Sequence, residues 1–287
     1  MTIEQAEKQL IADLSVIYDP RESAAIAGMV MEHVTGYPKI DRIIHKTQLF
    51  SEQEEILIKQ YREELIKHRP VQYVLGEAWF MGMRFRVNEK VLIPRPETEE
   101  LANWIIEDIK AENSRSPVIL DVGTGSGCIP ISLSKSLPAA VIHSCDISQE
   151  AINVARLNAQ DNTVNTNFIV GDFLDESFRA TLPAVDFIVS NPPYIPVSDI
   201  KSISPNVVNY EPHLALFVPD KDPLVFYRAL ARFAKEKLYS GGKLFAELHV
   251  EASVKAKQLF LSEGLSDVEI RKDLHGNPRM IKATMLP

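Results

Sequence analysis

The chain is poor in cysteine: Cys128 and Cys145 are the only two among 287 residues. Both sit in apolar stretches beside an expected strand or helix. They read as buried free thiols, since an unpaired cysteine packs as a small hydrophobe. A zinc site needs more ligands at closer spacing, so no metal is expected. Long apolar runs are missing too, and none approaches the length that crosses a bilayer. Met1 to Leu14 carries Glu4, Glu7 and Asp13, which no signal peptide would. A cytoplasmic protein with no membrane partner is the expectation. Positive charge is in deficit: 31 Lys and Arg face 39 Asp and Glu, a formal net charge of −8. Broad nucleic-acid binding needs a basic face to neutralise phosphates. No direct nucleic-acid substrate is expected, although local basic patches are not excluded. Internal repeats and low-complexity tracts are absent. What remains is an ordinary globular composition, 45% hydrophobic and 24% charged. The chain is long enough for two domains and for a core without disulfide support.

Residues 1–70 predict helices. Ala6, Leu10, Leu14 and Ile17 recur at helical spacing between Ile3 and Ile17. Glu22 to Val34 is a second helix, stopped by Gly36-Tyr37-Pro38. Ser51 and Glu54 form a capping box for a third, which runs to about His68 before Pro70. This small bundle is either a substrate-docking domain or a stabilising cap. Residues 71–93 read as a β-hairpin linker: Ala78-Trp79-Phe80 and Met83 to Val87 flank Gly82, and Val91-Leu92-Ile93 would continue the sheet. From 94 to 287 strands and helices alternate. Strands are expected over Val118 to Val122, Val141 to Cys145, Phe168 to Val170, Val185 to Val189 and Lys243 to Leu248. Helices are expected over Glu97 to Lys110, Ile129 to Leu137, Ser148 to Gln160, Leu224 to Leu238 and Glu251 to Leu261. This alternation implies an α/β fold with a parallel sheet covered on both faces. The final strands, Asp267 to Lys272 and Arg279 to Thr284, are joined by the turn Gly276-Asn277-Pro278 and must be antiparallel to each other.

The strand ending at Val122 runs into Gly123-Thr124-Gly125-Ser126-Gly127 and then a helix. Glycines there permit positive φ and close backbone approach to a ligand, and the helix start offers unpaired N–H groups. A dinucleotide loop reads G-x-G-x-x-G or G-x-G-x-x-A. Cys128 stands where the last small residue belongs, which argues against a dehydrogenase. A purely structural tight turn is the plain alternative. Asp146 ends the next strand, about 20 residues on, where a carboxylate accepts from both ribose hydroxyls. It could instead cap the following helix; the glycine loop favours the ribose. The third strand ends in Gly171-Asp172-Phe173, with Asp172 able to accept from an adenine amino group and Phe173 to cover the ring. All three features lie at carboxyl ends of successive strands, where open α/β sheets bind ligands.

The fourth strand ends in Ser190-Asn191-Pro192-Pro193-Tyr194, the most specific pattern in the chain. Prolines have no amide hydrogen, so the backbone presents acceptors without competing donors. Asn191 adds a side-chain carbonyl and Tyr194 an aromatic face. Together they describe a pocket that takes the hydrogens of a planar NH₂ group and stacks on its plane. An amide nitrogen is a poor nucleophile because its lone pair is delocalised. Holding its N–H bonds on Asn191 and the Pro192 carbonyl aims it at the methyl of a sulfonium donor. The contributions are alignment and stabilisation of charge developing on nitrogen. No strong base is needed if the proton leaves after methyl transfer. Asn191, Pro192 and Tyr194 are therefore the candidate catalytic residues, and Asn191, Pro192, Pro193 and Tyr194 the substrate-binding ones. The alternative is a proline-stiffened turn with a core tyrosine.

With these residues assembled, the chain resembles the HemK/PrmC family, protein-(glutamine-N5) methyltransferases that act on peptide chain release factors. The resemblance covers nearly the whole chain. It is carried by Leu92-Ile93-Pro94-Arg95-Pro96-Glu97-Thr98-Glu99, Asp121-Val122-Gly123-Thr124-Gly125-Ser126-Gly127, Ser190-Asn191-Pro192-Pro193-Tyr194-Ile195 and Tyr210-Glu211-Pro212. An Asn-Pro-Pro-Tyr motif alone occurs in many amino-methyltransferases, including adenine-specific ones; the Pro94-to-Glu99 segment narrows the family. The resemblance implies a Rossmann-like class I methyltransferase domain over 94–287, mostly parallel with an antiparallel last strand. It implies S-adenosyl-L-methionine as cofactor and S-adenosyl-L-homocysteine as product. Gly123, Thr124, Gly125, Ser126, Gly127, Asp146, Phe173 and Asn191 would contact that cofactor. The protein substrate would be a class 1 release factor, its Gly-Gly-Gln glutamine held by Asn191 to Tyr194. Phe173 stands where the family often has tryptophan. The Glu97 region would close over the methionine end of the cofactor, or simply place acids in a helix's first turn. Leu248 follows Glu247 where the family tends to show glycine, which leaves the role of Glu247 open. His213 and His249 read as structural. An adenine or guanine amino-methyltransferase acting on DNA or RNA is disfavoured by the acidic balance and the lack of a target-recognition domain. A non-catalytic cofactor- or release-factor-binding protein is disfavoured by the intact Asn191-to-Tyr194 motif.

Overall fold

The structure, a computed structural model, describes residues 1–112 and 116–286. The chain divides into two compact units, Met1–Glu77 with Ser204–Tyr210, and Ala78–Ile203 with Glu211–Pro287. In the first unit, α1 (Ile3–Leu14) opens on a capping box made by Thr2 and Gln5. Next, α2 (Pro20–Thr35) has its proline in the first turn, an Asp19 cap, and a left-handed Gly36 at its end. The short α3 (Lys39–Ile44) was not expected; Ile40, Ile43 and Ile44 are all exposed and Arg42 is its buried residue, so it has no buried apolar face for periodicity to reveal. Its successor, α4 (Glu52–Leu65), starts on the Ser51–Glu54 capping box. Leu10, Leu14, Ile26, Ala27, Val30 and Leu65 form the core of this bundle.

Residues 71–93, expected to be a hairpin, begin differently. Pro70 starts α5 (Val71–Leu75), which buries Val71 and Tyr73 and ends at left-handed Gly76. Proline suits a helix start because the N–H it lacks would be unpaired there. The hairpin itself is β1 (Glu77–Phe80) against β2 (Met83–Arg86). Val91 to Ile93 is not a strand. The Ile93 N–H donates to the Glu211 carboxylate at 3.1 Å, so no neighbouring strand takes that group.

The second unit continues with α6 (Pro96–Ala111), β3 (Val118–Val122), α7 (Cys128–Ser136), β4 (Val141–Asp146), α8 (Gln149–Asp161) and β5 (Asn167–Val170). After α9 (Glu176–Thr181) come β6 (Val185–Ser190) and β7 (Ile195–Pro196). The chain then makes α10 (Pro205–Tyr210), which belongs to the first unit. It returns through α11 (His213–Leu216), β8 (Phe217–Val218), α12 (Val225–Lys237), β9 (Leu238–Glu247), α13 (Ser253–Ser262), β10 (Leu265–Lys272) and β11 (Pro278–Met285). Seven strands form one sheet in the order β10-β11-β9-β6-β3-β4-β5. Pairing is parallel from β5 to β9, and β11 runs antiparallel to both its neighbours. The β10–β11 turn is tightened by Asp273, whose carboxylate accepts from the His275 and Asn277 N–H groups at 2.9 Å each.

Alternate residues of the central strands bury on opposite faces, as the strand period requires. Ile119, Phe187, Val189 and Phe245 pack with Trp104 and Ile105 of α6 and Ile131 of α7. Leu120, Val122, Ile188, Leu244 and Ala246 pack with Tyr227 and Phe233 of α12 and Phe260 of α13. Because β3 is flanked by β4 on one side and β6 on the other, the chain order reverses at β3. That is the switch point where such sheets open a crevice.

Gly127 joins the loop after β3 to this packing. Its φ is +82°, and a Cβ there would lie 3.0 Å from Ile131 and 3.1 Å from Ala155 of α8. Gly125, with φ +53°, has nothing within 4 Å of that position. Gly127→Ala should cost about 2–4 kcal/mol in urea unfolding, from left-handed strain plus overpacking. Gly125→Ala should cost only the strain, about 1–2 kcal/mol.

Candidate active site

A cavity of about 470 Å³ opens where β3, β4, β5 and β6 end. Each strand delivers backbone or side chain to its wall: Val122 and Gly123 from β3, Asp146 from β4, Gly171 and Asp172 from β5, Ser190 and Asn191 from β6. The glycine loop is set by β4. The N–H groups of Gly123 and Thr124 both donate to the Cys145 carbonyl, at 2.9 and 3.1 Å. Asp146 then takes the Gly125 N–H on one oxygen and the Ser148 N–H on the other, each at 2.9 Å. Ser148, not Asp146, caps α8 through its side chain. Burial raises the Asp146 pKa, and these backbone N–H groups oppose the rise.

The candidate cofactor residues divide. Gly123, Gly125, Asp146, Asp172, Phe173 and Asn191 line the cavity. Thr124, Ser126 and Gly127 do not; the Thr124 and Ser126 hydroxyls are buried without hydrogen-bond partners. Asp172 accepts from the Leu174 N–H at 2.8 Å, which sets the turn that brings Leu174 to the wall. Phe173 is 4% exposed, and its ring stands edge-on to Phe233 with centroids 5.4 Å apart. It meets the cavity from within the core and is not laid over it.

Among the substrate candidates, Asn191, Pro192 and Pro193 line the cavity. Tyr194 instead borders a smaller cavity of about 210 Å³ with Pro196, Asp222 and His249. Its hydroxyl donates to Glu247 at 3.0 Å, and its ring lies 5.9 Å from that of His249. Burial and the Glu247 charge push the Tyr194 hydroxyl well above its ordinary value. Glu247 itself is buried and also receives the Thr98 hydroxyl at 2.6 Å. Glu97 lies in the first turn of α6, beside the helix dipole, and not on the cavity wall. His213 packs edge-on against Phe217.

Sequence reasoning missed one wall, made by Glu89, Lys90, Val91 and Leu92. It also missed Leu214 and Ala215 of α11 and Phe226 of α12. The signal lay in Glu211, which is 4% exposed, accepts from Ile93 and pairs with Arg95. That carboxylate fastens the Leu92-to-Arg95 segment beside the start of α11. Both cysteines are free and buried, and burial pushes the Cys128 thiol up to about 12. Among the described residues no cluster of His, Cys, Asp and Glu could hold a metal ion, and no helix is long and apolar enough to cross a membrane.

A mostly parallel seven-stranded sheet, a cavity at its switch point and an Asn-Pro-Pro loop on the rim define a Rossmann-like methyltransferase. Comparison with known proteins agrees. The methyltransferase small domain matches residues 100–208, and the PrmC N-terminal domain matches residues 5–76. The release factor glutamine methyltransferase of Flavobacterium psychrophilum is 38% identical over 98% of this chain and 99% of its own. That of Chlorobaculum tepidum is 39% identical over 90% of this chain and 87% of its own. The chain belongs to the release factor glutamine methyltransferase family. Solved structures share the fold at lower identity. The hMettl16 catalytic domain, in complex with MAT2A 3'UTR hairpin 6, gives a TM-score of 0.56 at 15% identity, covering 88% of this chain and 91% of that one. A methyltransferase from Pyrococcus furiosus gives 0.53 at 18%, covering 83% and 100%.

Beneath the glycine loop, Asp121 is fully buried and takes the Ser144 hydroxyl at 2.6 Å. Burial pushes its carboxyl from 3.8 up to about 7, and the Asp146 charge adds to that rise. Between those values the folded chain keeps a proton that the unfolded chain has released. Stability therefore falls as pH rises from about 4 to about 7 and levels off above. Asp121→Asn should flatten this slope. Urea unfolding at pH 5 and pH 8 should show the variant gaining on the parent by as much as about 2.5 kcal/mol. Parallel pH profiles for the two proteins would refute it.

Proposed function

We propose that this protein transfers the methyl group of S-adenosyl-L-methionine to the side-chain amide nitrogen of the glutamine in the Gly-Gly-Gln motif of class 1 peptide chain release factors, in the cytoplasm. The observation that carries this is one shared cavity: Asn191, Pro192 and Pro193 line the same space as Gly123, Gly125 and Asp146. The residues suit the cofactor. The volume of about 470 Å³ lies in the range of small-molecule sites. Left-handed Gly123 and Gly125 let backbone approach a ligand without a side chain between. Each Asp146 oxygen holds one backbone N–H and keeps a lone pair for a ribose hydroxyl. Ile147, Leu174 and Leu214 add apolar wall for an adenine ring.

When bound, the cofactor supplies an electrophilic methyl on a sulfonium sulfur. The chain's own work is to hold the nucleophile. Asn191 Oδ1 and the Pro192 carbonyl accept the two amide hydrogens of the substrate glutamine, and Pro193 leaves no competing donor beside them. The nitrogen lone pair is then directed along the line of displacement. Positive charge developing on that nitrogen would strengthen both of these hydrogen bonds. The surplus proton leaves to water after transfer. Tyr194 anchors the loop through Glu247, while Thr124, Ser126 and Gly127 support the cofactor loop from below. Residues 94–287 carry the chemistry. The helices of residues 1–70 form the substrate-docking domain and the β1–β2 hairpin is part of the linker, consistent with the matched PrmC N-terminal domain.

The purified protein should be incubated with methyl-labelled S-adenosyl-L-methionine and a class 1 release factor, beside duplex DNA and RNA controls. Label on the loop glutamine, lost when that glutamine is replaced, is the expected result; label on nucleic acid alone would overturn the proposal. Asn191→Ala should lower turnover by about 100-fold or more while the unfolding midpoint holds. Asp146→Asn should weaken cofactor affinity by about 10-fold in calorimetry, more than it slows the saturated reaction.

A further inference from the structure

The two ends of an asparagine amide are chemically opposite: the oxygen only accepts and the nitrogen only donates. Methyl transfer as derived above needs the oxygen of Asn191 toward the substrate. A flipped side chain would set two donors against the two N–H bonds it should receive. Asn191 therefore has to be held one way round.

Asn191 Nδ2 lies 2.9 Å from Thr98 Oγ1. The Thr98 hydroxyl lies 2.6 Å from Glu247 Oε2. Glu247 is the last residue of β9 and is 1% exposed. Its other oxygen receives the Tyr194 hydroxyl at 3.0 Å, and its backbone carbonyl receives the Tyr227 hydroxyl at 3.0 Å. Burial raises the Glu247 pKa, and the Thr98 and Tyr194 hydroxyls and the Arg279 charge oppose that rise; as a carboxylate, accepting both hydroxyls, it has no proton to give. Thr98 must therefore donate to Glu247, and its oxygen is left only to accept. The one end of Asn191 that can meet it is the NH₂ group. Neither Thr98 nor Glu247 lines the cavity, so neither touches the reacting atoms.

We infer, on the assignment of Asn191 as the acceptor for the substrate amide, that Glu247 acting through Thr98 is the positioning pair that fixes the polarity of Asn191 and turns its Oδ1 to the cavity. The same carboxylate holds Tyr194, so it secures the Asn-Pro-Pro-Tyr turn at both ends. This gives Thr98, inside the Pro94-to-Glu99 segment, a task that a helix start alone does not require. A glutamine at position 247 would reverse the logic. Its NH₂ end would donate to Thr98, freeing the threonine proton to meet Asn191 Oδ1 and so stabilise the flipped amide.

The test uses Thr98→Val, Thr98→Ser and Glu247→Gln in the full chain with two readouts. In methyl transfer to release factor, Thr98→Val and Glu247→Gln should each lower kcat by about 100-fold. The release-factor KM and the cofactor affinity should hold, and Thr98→Ser should restore turnover. In protein labelled with ¹⁵N-asparagine and free of substrate, the Asn191 side-chain NH₂ is identified by its loss in Asn191→Ala. It should exchange slowly with solvent in the parent and in Thr98→Ser, and fast in Thr98→Val. Parent-like kcat in Thr98→Val, equal losses in Thr98→Ser and Thr98→Val, or a fast-exchanging Asn191 amide in the parent would overturn the inference. A protected amide in a protein that leaves release factor unlabelled would overturn the assigned substrate and keep the positioning pair.

Discussion

Parallel pairing of β3 with both β4 and β6 sets Val122 level with Cys145 on one side and Ser190 on the other. That register is the constraint from which the site follows. The strands end together, so the glycine loop, Asp146 and the Asn191 loop leave the sheet at one height. The Ser190 hydroxyl donates to the Val122 carbonyl at 2.8 Å, which ties the two loop origins where the ladder stops. The register is held by the core. A slip of one residue would turn Ile119 and Phe187 toward the face that buries Leu120 and Ile188, exchanging two differently shaped packing surfaces.

Four buried or largely buried acids stand just behind these loops: Asp121, Asp146, Glu211 and Glu247. Removing a carboxylate from water is costly unless its oxygens are satisfied. Asp146, Glu211 and Glu247 collect donors from different parts of the second unit, while Asp121 takes the Ser144 hydroxyl on one oxygen and leaves the other without a partner. Asp146 takes backbone N–H groups of two turns, Glu211 a backbone N–H and Arg95, and Glu247 the hydroxyls of Thr98 and Tyr194. Loop positions are thereby specified by geometry that water cannot imitate. The acidic balance noted in the sequence is in part this internal scaffolding, and not only surface charge.

Local signals were the ones the sequence made readable. Apolar runs bounded by glycine and proline marked β3, β4 and β6, and the two prolines after Asn191 marked the rim. The Ser51–Glu54 capping box appears as a real pair of hydrogen bonds. What escaped was decided by long-range contact or by the direction of a side chain. Thr98 and Glu247 lie 149 residues apart, and no local pattern announces that they touch. Within Gly123 to Gly127 the residue types do not say which side chains turn inward, so Thr124 and Ser126 looked like ligand groups when they are buried under the loop. Val91 to Ile93 has strand composition, but its backbone is claimed by Glu211. Pro70 read as the end of one helix and is also the start of another.

The excursion of residues 204–210 has an evolutionary consequence. The chain passes between its two units at Glu77–Ala78, Ile203–Ser204 and Tyr210–Glu211. On this detour Tyr210 gives its hydroxyl proton to the Lys67 carbonyl at 2.8 Å. A recombination event that exchanged only the codons for residues 1–77 would deliver a new bundle while leaving α10 matched to the old one. The helical unit is therefore not a freely shuffled module. Its two gene segments are coupled, substitutions around Lys67 being screened against a short stretch encoded far downstream.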